Sequence, residues 1–202
     1  MRKIAALIFP QFEALDMFGP IEMFGMLPEA FEICMVAETG AAVSCKQGPA
    51  SLVDQTFDDP SDYDLILVPG GRGTRAGVDN LPLLNWLKRA CERAEIVMSV
   101  CTGSALLAKA GVLDGKRATT NKMAYDWVCS QSSNVEWVPQ ARWVEDGNVF
   151  TSSGVSAGMD MSLAVIGRLC GLDTAKQVAI WAEYDWHDNA DWDPFAEIHG
   201  LV

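Results

Sequence analysis

The segment Ile96-Val-Met-Ser-Val-Cys101-Thr-Gly-Ser-Ala-Leu-Leu-Ala108 carries the strongest chemical signal in the chain. An apolar run of strand type meets a helical run, with a cysteine at the junction and a glycine two residues on. This is the layout of a nucleophile elbow, a tight strand-to-helix turn that holds a reactive side chain forward. A thiol there faces the positive end of the helix dipole and free backbone N–H groups, which favours thiolate and predicts a lowered pKa. A small core cysteine would fit the same local sequence.

Three further segments could serve such a nucleophile. Pro69-Gly70-Gly71 follows an apolar run, and the Gly70 and Gly71 N–H groups together with Thr102 could form an oxyanion-type pocket; a turn of purely geometric role is the alternative. Asp16 opens a helical pattern, where it could cap the helix or bring a carboxyl close to Cys101 to exchange a proton with substrate. Thr151-Ser-Ser-Gly-Val-Ser-Ala-Gly-Met-Asp160 reads as helix capping by Ser156 and close packing at glycines, without a catalytic role. His187 and His199 fall in an expected surface tail, and Trp181, Trp186 and Trp192 there suit packing, a pocket roof or a subunit contact.

The elements that must position these groups alternate. Strand-like runs cover Lys3–Phe9, Phe31–Ala37, Asp64–Val68 and Glu95–Val100, and helical spacing covers Asp16–Leu27, Pro82–Ala94 and Ser104–Leu113. Gly19-Pro20 places a proline near the start of the first helix. Gly40–Phe57 reads as short strands or an excursion from the sheet. Arg117–Thr120 suggests a short strand and Met123–Cys129 a helix. Ala141–Glu145 and Asn148–Thr151 flank Asp146-Gly147, a hairpin signal. Ala157–Leu169 and Thr174–Tyr184 close the pattern as helices. Core strands alternating with helices imply an α/β fold with a mostly parallel central sheet and helices on both faces, and ligands in such folds sit beyond the carboxyl ends of the strands.

The 202 residues fit one domain, 1–202, with no repeat or linker. A net charge of −12 repels phosphate backbones and anionic lipids, so neither nucleic acid nor membrane is an expected partner. The apolar run after Arg2-Lys3 is too short for a signal peptide, and no run approaches the ~20 apolar residues of a membrane span, so a cytoplasmic protein is expected. The six cysteines show no C-x-x-C and no paired histidine spacing; they read as reduced thiols rather than a zinc site.

Phe9-Pro-Gln-Phe-Glu-Ala-Leu-Asp16 with Gly19-Pro20, Val68-Pro-Gly-Gly71, Val100-Cys-Thr-Gly103, Leu113-Asp-Gly-Lys-Arg-Ala-Thr-Thr120 and Gly154-Val-Ser-Ala-Gly-Met-Asp160 together resemble the ThiJ/PfpI superfamily, in its order and over most of the chain. The resemblance implies a flavodoxin-like three-layer sandwich of the class I glutamine amidotransferase type and a homodimer. Within the superfamily the chain is most similar to the isocyanide hydratase branch, marked by an Asp after the first strand and a Cys-Thr-Gly elbow. Asp16, Cys101 and Thr102 match those positions. The implied activity is hydration of a small-molecule isocyanide to an N-substituted formamide through a Cys101 thioimidate, without cofactor or metal. Asp16 would relay protons, with Thr102 and Gly71 hydrogen-bonding near the sulfur. Where many relatives have Ala-Thr-Thr-His-Trp, this chain has Ala118-Thr-Thr-Asn121-Lys122, which makes the histidine-dependent protease and glyoxalase activities less expected. A stand-alone redox or metabolite sensor using an oxidisable Cys101, or a non-catalytic domain, is the alternative. No helix-turn-helix module follows in this sequence, so direct DNA binding is not expected.

Overall fold

The computed structural model describes residues 1–60 and 62–202. Strand β1 (Arg2–Leu7) is followed by helix α1 (Ala14–Gly25), β2 (Phe31–Ala37) and three two-residue strands, β3 (Val43–Ser44), β4 (Ala50–Ser51) and β5 (Gln55–Thr56). Then come β6 (Leu65–Val68), α2 (Thr74–Gly77), α3 (Leu81–Arg93), β7 (Ile96–Ser99) and α4 (Gly103–Lys109). The chain continues through β8 (Arg117–Ala118), α5 (Tyr125–Cys129), β9 (Glu136–Trp137), the hairpin strands β10 (Trp143–Asp146) and β11 (Val149–Ser152), and helices α6 (Ala157–Cys170), α7 (Leu172–Trp181) and α8 (Pro194–Ile198).

Seven strands form the central sheet in the order β10-β11-β7-β6-β1-β2-β5. Every pairing is parallel except the β10–β11 hairpin, which turns at Gly147 with φ 64°. All four residues of β6 and of β7 are buried, as expected for central parallel strands covered on both faces. The covering follows from handedness. From β1 the chain steps outward to β2, whereas from β6 it steps the opposite way to β7 and β11. Right-handed crossovers on the two sides of that reversal put their helices on opposite faces. Helix α1 accordingly packs with α6 and α6 with α7, while α3 packs with α4. The result is the expected α/β sandwich. The reversal lies between β1 and β6, so the turns after β1, β6 and β7 converge at one crevice.

Several boundaries differ from the sequence reading. Helix α1 begins at Ala14, because the preceding Phe12 bridges Gly71 and Glu13 N–H donates to Gly70 O at 2.9 Å. Asp16 therefore lies inside the first turn and Pro20 in the helix interior rather than near its start. Gly40–Phe57 does leave the sheet, as the β3–β4 pair, and returns as edge strand β5. Ser156 stands at the N-cap position of α6, yet its own helical backbone leaves the side chain making no capping hydrogen bond; its Oγ instead accepts a long 3.5 Å contact from Arg142. The capping role expected for Ser156 is thus corrected. Helix α7 stops at Trp181, and the chain turns through Glu183 at φ 48°. Trp181 and Trp192 remain exposed.

A buried ion pair fastens the C-terminal segment to this frame. Arg142 donates from Nε and Nη2 to Asp160 Oδ2 at 2.7 and 2.6 Å. Asp160 Oδ1 accepts Tyr184 Oη and the His187 N–H, both at 3.0 Å, and Trp186 Nε1 donates to the Asp160 carbonyl at 3.2 Å. Among the described residues no helix is long and apolar enough to cross a membrane. Asp160→Asn leaves the buried Arg142 guanidinium without its counter-charge, which costs roughly 3–5 kcal/mol. Urea unfolding should show a midpoint lowered accordingly, with Asp160 and Arg142 changed together costing less than the sum of the two single variants.

Candidate active site

Cys101 occupies the turn between β7 and α4 with φ 56°, a left-handed conformation that is strained for a side chain. The strain is built in from both sides. Val100 N–H donates to Val68 O at 2.9 Å, and Cys101 N–H is shared by the Ser152 and Ser153 carbonyls at 3.2 Å each. The Cys101 carbonyl accepts Thr120 Oγ1 at 2.9 Å and Ser104 Oγ at 3.1 Å. Gly103 comes so close to β6 that a Cβ there would stand 2.4 Å from Val68 O. The elbow read from the sequence is therefore present, with Thr120 and Ser104 as additional hydroxyls that hold it.

Asp16 reaches the same point from α1. Its Oδ2 accepts the Gly70 N–H at 2.9 Å. Oδ1 is buried and makes no well-formed hydrogen bond, although the carboxyl approaches the Cys101 thiol closely enough to interact with it directly. A capping role is excluded: the N-cap is Glu13, and Asp16 points into the core. A Cβ on Gly70 would meet Thr102 N at 2.5 Å, Thr102 Oγ1 at 2.7 Å and Asp16 Oδ2 at 2.8 Å. Only glycine lets these groups converge.

The Gly70 and Gly71 amides do not face open space. Gly70 N–H is spent on Asp16, and Gly71 N–H donates to Thr102 Oγ1 at 3.0 Å. In this structure they position the carboxyl and the threonine rather than line a free oxyanion pocket. Thr74, absent from the sequence reading, completes the set: its Oγ1 lies 2.8 Å from Gly71 O and 3.1 Å from Thr102 Oγ1. Nothing in the local sequence marks it, because a threonine after Gly-Arg-Gly reads as loop.

Electrostatics overturn one expectation. Burial, then the charge of Asp16, push the Cys101 thiol well above the ordinary cysteine range, and the Thr102 N–H opposes them only in part. The helix start does not lower this pKa, since the residue is 7% exposed and water cannot solvate a thiolate. Burial likewise raises Asp16 to about 8, against the Gly70 hydrogen bond that lowers it. Two acids thus share a dry pocket that tolerates one negative charge between them.

Gly154, which adjoins the sulfur, lines a cleft of about 330 Å³. Leu15, Met123, Val155 and Phe195 give it an apolar wall, with Asn121, Ser153, Ser156 and His199 among its polar lining. Asn121 therefore stands where the resemblance places a histidine near the nucleophile. His199, expected in a surface tail, borders the cleft, whereas His187 is not among the lining residues and donates its backbone N–H to Asp160. Lys122 is buried, with Nζ donating to Thr119 Oγ1 at 2.8 Å and Ala141 O at 2.6 Å, and burial lowers it to about 8. All six cysteines are free, and among the described residues no His, Cys, Asp and Glu group together as metal ligands.

Comparisons with known proteins identify relatives of this chain in sequence and in fold. An isonitrile hydratase of Pseudomonas putida is 36% identical over 183 residues, 90% of this chain and 78% of that protein. A deglycase of Thermococcus kodakarensis is 30% identical over 152 residues, 74% of this chain and 89% of the other. Among solved structures, a ThiJ/PfpI family protein from Pseudomonas syringae superposes with a TM-score of 0.83 at 33% identity, covering 91% of this chain and 75% of that one. Drosophila melanogaster DJ-1beta shares the fold with a TM-score of 0.79 at 21% identity, over 92% of this chain and 99% of that one. Residues 2–168 match the DJ-1/PfpI family, and with the elbow cysteine, the carboxyl beside it and the glycine turn in place, the chain belongs to that family.

Proposed function

We propose that the protein hydrates isocyanides to N-substituted formamides, with Cys101 as nucleophile and Asp16 as proton carrier. The observation that carries this reading is the buried, unpartnered Asp16 Oδ1 next to the thiol of a strained elbow. The similarity to an isonitrile hydratase supports the same reaction. Within this reading the chain works as a homodimer on a small molecule, and no step calls for a cofactor or metal.

The chemistry suits a pair of acids that holds one proton between them, the thiol protonated and Asp16 free to accept it. An isocyanide carbon accepts both a nucleophile and a proton. As Sγ bonds to that carbon, the thiol proton passes through Asp16 Oδ1 to the same atom, and C≡N becomes C=N. The product is a thioimidate. Water then gives one proton to Asp16 as its oxygen adds to the carbon; Asp16 passes that proton to nitrogen and takes the remaining hydroxyl proton as the carbonyl forms. Finally the C–S bond breaks, sulfur recovers its proton from Asp16, and the formamide leaves. Thr102 holds its place between Gly71 and Thr74 and directs its N–H towards the sulfur. A redox sensor is less well suited, because oxidation favours an exposed thiolate and this thiol is buried and raised in pKa.

Formamide production from a simple alkyl isocyanide tests the reaction. Wild type should produce it and Cys101→Ala should not; an inactive wild type overturns the proposal. The productive pair has lost one proton, so kcat/KM should rise with pH and level off near the Asp16 value of about 8. Asp16→Asn should move activity and stability in opposite directions. Turnover should fall by roughly 10²–10⁴-fold. Folded Asp16 keeps its proton to about pH 8, whereas an unfolded aspartate releases it near the ordinary value, so the folded state holds more protons between those limits. Stability therefore declines as pH rises through that window. The asparagine variant should lack this slope and be more stable at pH 7 by roughly 1–3 kcal/mol, read by urea unfolding at pH 5 and 7. Its Cys101 should also alkylate at lower pH than in wild type, since a like charge has been removed.

A further inference from the structure

The orientation of the Asn121 amide is settled from one end. Oδ1 accepts the Ala124 N–H at 3.0 Å, so Nδ2 must face the other way. That direction is marked by Gly154. A methyl group on its Cα would lie 2.1 Å from Asn121 Nδ2 and 3.4 Å from Cys101 Sγ, so the amide nitrogen rests directly on Gly154 with the sulfur close by, an approach that only glycine permits. Nδ2 carries two N–H donors and finds no acceptor among the described residues. The same side chain lines the cleft. A pinned, unused donor beside the nucleophile is an arrangement that a substrate atom can complete.

We propose that Asn121 is a catalytic residue that donates a hydrogen bond to the substrate nitrogen as sulfur adds to the neighbouring carbon, while the nitrogen substituent lies in the apolar cleft beside it. The inference rests on the hydratase reading and adds to it a residue and a substrate class. In R–N≡C the nitrogen lone pair is committed to the triple bond and offers Asn121 nothing to bind. Once the S–C bond forms and carbon takes the proton, C≡N becomes C=N and nitrogen holds a free lone pair. A donor whose acceptor develops during the reaction stabilises the transition state over the ground state, and so acts on kcat rather than KM. Leu15, Met123, Val155 and Phe195 favour apolar alkyl or aryl substituents.

The test compares wild type with Asn121→Ala and Asn121→Asp on an alkyl isocyanide, each at its own pH optimum. Formamide is followed with time, and the covalent Cys101 adduct by intact mass after rapid acid quench. The aspartate variant keeps the acceptor for Ala124 N–H and the shape, but its ionised carboxylate donates nothing, so it decides the matter if the alanine variant folds poorly. We expect kcat to fall roughly 10²–10³-fold in both, as on removing an oxyanion donor, with thermal midpoints near wild type. KM should stay within about threefold. Asn121→His, which can present an N–H again, should recover part of the loss. A wild-type kcat in either folded variant overturns the proposal, and so does a change confined to KM. A wild type that yields no formamide overturns the hydratase reading instead, and this inference with it.

Discussion

The left-handed turn at Cys101 is the constraint on which the rest of the site depends. A side chain at φ 56° costs about 1–2 kcal/mol and persists only where the surroundings hold it. Here the sheet does so, with β7 paired to β6 on one side and β11 on the other. The turn cannot relax without breaking the Val100–Val68 bond or freeing the Cys101 N–H from the Ser152 and Ser153 carbonyls. The sulfur is consequently held at the crevice between the two halves of the fold, where the Gly70-Gly71 turn delivers Thr102 and Asp16 to it.

Dryness sets the chemistry of that point. The same burial that raises both Cys101 and Asp16 makes the resting thiol a poor nucleophile toward general electrophiles. A substrate that accepts sulfur and proton at one carbon turns this into an advantage, because no isolated thiolate is needed. Asp16 pays for its position in stability, since a charged carboxylate is disfavoured there at neutral pH.

The segment beyond residue 168 lies outside the residues matched to the DJ-1/PfpI family, yet Phe195 and His199 from it border the cleft. The Arg142–Asp160 pair and the hydrogen bonds of Tyr184, Trp186 and His187 fasten this segment to α6. The residues matched to the family thus include Cys101 and Asp16, and the chain beyond them supplies part of the wall of the cleft.

The layers, the elbow and the glycine turn were legible in the residues alone, because continuous apolar runs, helical spacing and breakers are local signals. Asp160 was legible only as part of a helix start, and Thr74, Thr120 and Ser104 carried no signal, since a hydroxyl that props a distant backbone looks like any other. Sequence by itself determined that a cysteine would stand at the end of a central strand and that an aspartate would follow the first. Tertiary structure decided what those groups are. Helix α1, drawn two residues forward by its bridge to Gly71, turned a possible cap into a buried acid. Closure of the crevice raised a thiol that a helix start alone would have lowered. Contact with Ala124 fixed which face of Asn121 looks at the sulfur. Charge state and direction arise from what surrounds a group in space, and local sequence does not record that.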